Sequence, residues 1–146
     1  MCGDGSLVES ADSGVMKRLH YIVGLLGLLA FVLSGQVMRF HRPAMKSLEG
    51  GTHMMYVSRH IYILGGALVN LMAGLYLKME SPGWRQNLQV VGGVLLLSSP
   101  ILLILAFTRE PELGTAGRSA LSTLGLFTLL GGVIAHFAAR LGSREN

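Results

Sequence analysis

Three of the five histidines in this chain of 146 residues lie near the ends of long apolar stretches. His20 and His60 begin two such stretches, and His136 lies near the end of another. An imidazole nitrogen can bind a haem iron, and in apolar surroundings it otherwise needs a hydrogen-bond partner. These histidines therefore either bind a cofactor or meet water at a membrane surface.

Helical periodicity places each of these histidines on the same face of its helix as small residues. His20 aligns with Gly24, Gly27, Phe31 and Ser34; His60 with Ala67 and Gly74; His136 with Ser122, Gly125, Leu129 and Gly132. In an antiparallel bundle, His20 and His136 reach the same membrane surface at matched depth. They are therefore candidate axial ligands of a b-type haem, with the glycines making room for the ring. His60 belongs near the opposite surface.

The alternative interpretation gives the histidines no cofactor. His20 follows Lys17 and Arg18, and His60 follows Arg59, so both have the company of an ordinary membrane interface. There an imidazole and a cation bond to water and lipid headgroups. This interpretation favours a protein without a catalytic site.

A second possible site uses soft ligands in the first loop, predicted over Arg39 to Tyr56. Thioether and imidazole groups suit copper(I), and six of them occur within eighteen residues. They are Met38, His41, Met45, His53, Met54 and Met55. Their spacing follows no compact ligand motif.

The elements that must position these residues are predicted from the gaps between charged clusters. Four gaps predict helices at about 19–38, 57–77, 88–107 and 119–139. A helix of about 20 residues spans the roughly 30 Å hydrocarbon core of a bilayer. We predict an all-α fold over 17–141, an antiparallel up-down bundle of four transmembrane helices, with a flexible segment over 1–16 and a tail over 142–146.

Two features inside the spans require partners. Asn70 is a polar side chain at mid-membrane between Gly66 and Gly74, so it is predicted to face another helix rather than lipid. Pro100 removes one backbone hydrogen bond from the third helix. Ser98 and Ser99 are the predicted replacements for that bond.

Several classes of function are disfavoured. Asp, Glu, Lys and Arg are confined to the ends of the predicted spans, which argues against proton-driven transport. The chain has no phosphate-binding loop, nucleophile elbow, His-Glu-x-x-His pair or cysteine cluster. Its basic residues form no patch with interleaved aromatics, so no nucleic-acid partner is expected. The run from Met16 is long for a cleaved secretory signal, so we expect it to be retained as a helix.

The helix number, together with His20, His60 and His136, resembles the four-helix dihaem b-type cytochromes. Those proteins carry more paired histidines, and the third predicted helix here has none. The sequence favours a non-enzymatic protein of the bacterial inner membrane, an accessory or assembly component that self-associates or joins a larger complex in the bilayer. The alternatives are a haem b electron-transfer protein and a copper-handling protein. Six Lys and Arg flank each side of the predicted bundle, so the charges give no orientation.

Overall fold

The computed structural model describes residues 5–40, 50–78, 83–110 and 119–141, with side chains from residue 14 onward. This part of the chain forms four helices: α1 (Gly5–Phe40), α2 (Gly50–Tyr76), α3 (Trp84–Arg109) and α4 (Ala120–Leu141). No strand occurs within these ranges. The predicted all-α class is therefore correct for the described residues.

Two helices begin earlier than predicted. α1 starts at Gly5, inside the segment 1–16 that was expected to be flexible. α2 starts at Gly50, so the last part of the predicted first loop is helical. Between Gly51 and the predicted start at Val57 the sequence has no Gly or Pro, and Tyr56 packs into the core with its ring centroid 5.4 Å from that of Phe107. Burial of this tyrosine stabilises the added turns of α2.

Three helices are long and apolar enough to cross a membrane: Gly14–Phe40 of α1, α3 and α4. Their outward faces carry large apolar side chains such as Leu29, Ile101 and Phe127, each more than half exposed. A helical bundle with this surface suits lipid, as expected for an integral membrane protein. α2 is not among the three, and its apolar run is interrupted by Arg59, His60 and Asn70.

The helices pack as two close antiparallel pairs. In the first pair, a Cβ atom added to Gly74 of α2 would lie 2.7 Å from the backbone nitrogen of Tyr21 in α1. In the second, a Cβ atom on Gly132 of α4 would lie 2.8 Å from the carbonyl oxygen of Gly92 in α3. Only glycine permits these distances, which are the close approaches that hold helices together in lipid. α2 and α3 join the two pairs, whereas α2 and α4 make few contacts with each other.

One part of the core is apolar. Tyr56, Ile63, Leu103 and Phe107 form a buried cluster, and Met38 packs against it. This placement gives Met38 a packing role.

Candidate functional site

A chain of hydrogen bonds inside the bundle begins at Pro100 in α3. Proline has no N–H, so the carbonyl of Leu96, four residues earlier, loses its helical partner. The side-chain nitrogen of Asn70 donates to this Leu96 carbonyl at 2.8 Å. Ser98 and Ser99, the predicted replacements, bond instead to the carbonyls of Leu95 and Gly125. The prediction was wrong about the donor, since an amide from another helix supplies it.

Asn70 is held in one orientation by its own helix as well. It is fully buried, and its Nδ2 group also donates to the carbonyl of Gly66 at 2.9 Å. Two carbonyl acceptors on one side require the NH2 group to lie there, so the amide cannot be flipped. Its Oδ1 atom therefore faces His20 in α1 as an acceptor. Asn70 thus contacts two other helices rather than lipid, in agreement with its predicted placement.

The orientation of Asn70 fixes the tautomer of His20. The Nδ1 atom of His20 lies 2.8 Å from Asn70 Oδ1, and an amide oxygen can only accept, so Nδ1 carries the proton. In the neutral ring the lone pair then lies on Nε2. This side chain is fully buried, and Nε2 has no hydrogen-bond partner among the described residues. Buried at the helix interface, His20 does not occupy the water-facing position that the interfacial interpretation requires.

His136 of α4 lies beside His20. The two ring centroids are 6.5 Å apart with planes inclined by 73°. Neither nitrogen of His136 has a partner within the part of the chain that the structure describes, although both atoms are buried. A direct N–H···N bond would bring the centroids to about 5 Å, so the two rings are not hydrogen-bonded to each other. We call His20 and His136 the histidine pair.

Two glycines bring α3 close to the histidine pair. A Cβ atom on Gly92 would lie 3.2 Å from Cδ2 of His136, and one on Gly93 would lie 3.3 Å from Nε2 of His20. The Sδ atom of Met16 is also 3.3 Å from that second position. α3 therefore approaches both imidazoles with backbone and without a side chain, and the Met16 thioether lies beside Gly93.

The opposite end of the bundle holds a second polar cluster, which we call the ion-pair cluster: Arg59, Glu110 and Ser122. Arg59 Nε donates to Glu110 Oε2 at 2.6 Å, and both side chains are less than 5% exposed. Glu110 also accepts hydrogen bonds from the backbone N–H and the hydroxyl of Ser122, in the first turn of α4. Glu110 therefore neutralises Arg59 and satisfies a free N–H at the start of α4.

The ion-pair cluster corrects the interpretation of Arg59 as an interfacial anchor, because its guanidinium is buried and paired. Burial alone would raise the pKa of the Glu110 carboxyl, but the hydrogen bonds from Ser122 and the adjacent Arg59 guanidinium outweigh burial. The net effect lowers that pKa. Glu110 is thus a buried carboxylate held in its charged form.

His60 is separate from the histidine pair. Its Nδ1 atom lies 2.8 Å from the hydroxyl oxygen of Ser34, which donates its own proton to the carbonyl of Phe31. The imidazole also stacks on the Phe31 ring with centroids 4.1 Å apart. His60 is a candidate cofactor ligand that the structure does not bring together with His20 or His136.

The proposed copper ligands do not share a loop. Met38 lies in α1, and His53, Met54 and Met55 lie in the first turns of α2, with Met54 65% exposed. His41 and Met45 fall outside the described residues. Within the described residues no group of three or more His, Cys, Asp or Glu side chains could hold a metal ion.

The partners of these side chains were only partly visible in the sequence. His20 and His136 were predicted to meet from their matched depth, and they do. Glu110 was missed because nothing local links it to Arg59, which is 51 positions away. The role of Asn70 at Leu96 had a local signal, since Leu96 stands four residues before Pro100.

Comparison with known proteins gives no assignment for this arrangement. The chain matches no protein-family model, no curated protein and no solved structure. Its function must therefore be argued from the arrangement of its own residues.

Proposed function

We propose that this protein binds one b-type haem in the membrane through His20 and His136 and transfers electrons there. The observation that carries the proposal is the histidine pair itself: two buried imidazoles 6.5 Å apart whose free nitrogens find no partner in the described ranges. Imidazole nitrogens are common ligands of haem iron, so His20 and His136 are the residues that would hold the group. The donor chemistry of the pair fits haem iron.

The fixed tautomer and orientation of His20 support the same assignment. Histidines that bind metals commonly donate their other ring N–H to a carbonyl oxygen, which fixes the tautomer and strengthens the donor nitrogen. Asn70 Oδ1 receives the Nδ1–H of His20, and Asn70 is itself fixed by two backbone carbonyls. The lone pair on Nε2 is thus presented without rearrangement. A histidine that served packing alone would gain nothing from a buried lone pair with no partner.

The glycines and the surrounding helices support the same assignment. Gly92 and Gly93 keep side-chain atoms of α3 away from the two imidazoles. The helices exclude water from His20, which is fully buried. A bound haem would supply one-electron redox chemistry. The protein contributes the two nitrogen donors, their orientation and an apolar setting that tunes the reduction potential.

We infer that α2 crosses the membrane as the fourth span. Its 27 residues are long enough to do so. The polar residues that lower its apolar character bond inside the bundle: Arg59 to Glu110, His60 to Ser34, and Asn70 to His20 and Leu96. Its outward face presents Ile61, Leu68 and Leu75. Lipid would therefore meet apolar side chains, as at the other three helices.

The test is the visible spectrum of the protein purified in mild detergent from haem-replete cells, before and after dithionite. We expect a Soret band in both states and a sharp α-band on reduction, all lost in His20→Leu and His136→Leu. His60→Leu is the matched control, because His60 lies outside the pair, and it should keep the spectrum. A colourless wild-type protein would overturn the proposal and leave the accessory or assembly role as the remaining account.

A further inference from the structure

We propose that Met16 completes the histidine pair into a binding site for one copper(I) ion when no haem is bound. His20 and His136 contribute one imidazole nitrogen each, and Met16 of α1 contributes its thioether sulphur. None of these residues belongs to the first-loop ligands predicted from the sequence. The inference needs the histidine pair but not a haem, so it goes beyond the proposed function.

The sulphur of Met16 and the free nitrogen of His20 approach the same point in the bundle. A Cβ atom on Gly93 would lie 3.3 Å from Nε2 of His20 and 3.3 Å from Sδ of Met16. The two donor atoms are therefore separated by no more than twice that distance. Met16 stands four residues before His20 on α1, so the two side chains lie on one face of the helix. Because Gly93 has no side chain, α3 places no side-chain atom at that point.

Both imidazoles have a nitrogen available for a metal. Nε2 is the atom of the His20 ring nearest to the Gly93 position, and it carries the lone pair. Both nitrogens of His136 are buried and have no hydrogen-bond partner within the described ranges, so either can be the donor. Binding requires the donors to converge on one ion, at about 2.0 Å from nitrogen and about 2.3 Å from sulphur. The methionine side chain is flexible and adapts to such a position.

The donor set selects a soft metal ion of low charge. All three donors are neutral, and among the described residues no Cys, Asp or Glu joins the two histidines in a group of three. A divalent ion would bring two uncompensated charges into a buried site, which is costly in an apolar setting. Thioether and imidazole ligands suit copper(I), which carries a single charge.

Copper(I) and haem cannot share the histidine pair. Each needs the lone pair on Nε2 of His20, because Nδ1 donates its proton to Asn70. Copper(I) bound at the pair would therefore keep haem out until the copper is removed. The site would make haem loading depend on copper.

The experiment titrates haem-free full-length protein in nanodiscs, with ascorbate and without oxygen, with copper(I) held by bicinchoninate. Protein that binds copper(I) withdraws it from this coloured complex, so the absorbance falls. We expect the fall to saturate at one copper(I) per chain. A wild-type protein that withdraws no copper(I) would overturn the proposal whatever a haemin titration shows, and saturable copper binding without haem binding would leave this proposal standing alone.

Met16→Leu is the main variant, and Met54→Leu is its matched control. Met54 is 65% exposed and stands sixteen residues before Asn70, which contacts His20. We expect Met16→Leu to bind copper(I) at least about tenfold more weakly and to keep the haem spectrum, and Met54→Leu to bind copper(I) as the wild type does. Equal affinities of Met16→Leu and the wild type would overturn the proposal.

Two further measurements locate the copper. X-ray absorption should show a sulphur neighbour of copper at about 2.3 Å in the wild type and none in Met16→Leu. Copper-loaded protein should take up haemin only as copper is released. Uptake of haemin with the copper retained would place the copper elsewhere and would contradict the proposal.

Discussion

The two ends of the bundle bury polar groups in contrasting ways. In the ion-pair cluster, Glu110 binds both Arg59 and Ser122, so its charge and that of Arg59 are compensated inside the fold. In the histidine pair, only Nδ1 of His20 makes a hydrogen bond. Nε2 of His20 and both nitrogens of His136 have no hydrogen-bond partner among the residues described. Both ends are buried, so exposure does not explain the difference.

The comparison separates polar groups that are paired inside the fold from polar groups that, in our proposal, bind a ligand. Burying a polar atom without a partner costs free energy, so a fold that leaves three imidazole nitrogens in this state gives up stability. The ion-pair cluster loses no stability in this way, because its buried polar groups are paired. The difference leads us to expect that substitutions at the two ends change different properties: stability at the ion-pair cluster, and ligand binding at the histidine pair.

The largest effect should come from Glu110→Ala. It leaves the Arg59 guanidinium buried and unpaired, and we expect a loss of about 3–5 kcal/mol in the free energy of unfolding, measured by SDS titration in mixed micelles. Arg109→Ala, at the exposed neighbouring position, is the control and should change little. The double variant Arg59→Met with Glu110→Leu should regain most of the loss. If Glu110→Ala proved as stable as Arg109→Ala, the ion-pair cluster would not be a structural unit.

Asn70→Leu should have the next largest effect, because it acts on both folding and binding. It leaves the Leu96 carbonyl and the His20 Nδ1–H without partners, at a cost of about 1–3 kcal/mol in unfolding free energy. It should also weaken haem binding about 10- to 100-fold, since His20 loses its orientation.

A double variant tests the link between Asn70 and Pro100. In Asn70→Leu with Pro100→Ala, the backbone N–H restored by the second substitution can bond to the Leu96 carbonyl, so part of the stability lost in Asn70→Leu should return. Haem affinity should not return, because His20 still lacks its acceptor. Strict additivity of the two substitutions in unfolding free energy would contradict the link.

Glu110→Gln should have a smaller effect that depends on pH. The folded state lowers the pKa of Glu110, so the ionised carboxylate adds stability above the pKa of the unfolded chain, and this is lost as pH falls through the lower folded pKa. At neutral pH the variant should be about 1.5 kcal/mol less stable than the wild type. In SDS titrations from neutral to acidic pH, that difference should shrink on the acidic side. A difference independent of pH would show that Glu110 contributes no charge.

His136→Leu should have the smallest effect on folding. It replaces a side chain whose ring nitrogens are unbonded, within the described ranges, by an apolar one of similar reach, so haem-free protein should be unchanged or up to about 1 kcal/mol more stable. The readout is again SDS titration, on haem-free wild type and variant in parallel. A loss comparable to that of Glu110→Ala would mean that His136 is a structural residue.

The sequence predicted the helices better than their contacts. Gaps between charges located α3 and α4 closely, because a span must be apolar over the bilayer thickness. The same reasoning misplaced Arg59. A cation near the end of an apolar run gives the same sequence pattern whether it faces water or pairs with a carboxylate that is distant in the sequence. The partner Glu110 becomes visible only when α2, α3 and α4 are placed together.

Contacts that follow from the depth of two residues in the membrane were predictable from the sequence. Contacts that depend on which helices are neighbours were not. His20 and His136 were correctly brought together because their distances from the helix centres match. The donor to Leu96 was assigned to serines of the same helix, whereas Asn70 of α2 supplies it. That choice depends on how α2 faces α3, which no periodicity within one helix reveals.

The most direct test of the difference between the two ends is a haemin titration of haem-free protein in nanodiscs, followed by absorbance. Our account predicts saturation at one haem per chain with the low-spin spectrum of two imidazole ligands, lost in His20→Leu and His136→Leu and retained in Arg59→Met with Glu110→Leu. Absence of a saturable spectral change in the wild type, or an unchanged titration in both histidine variants, would contradict it.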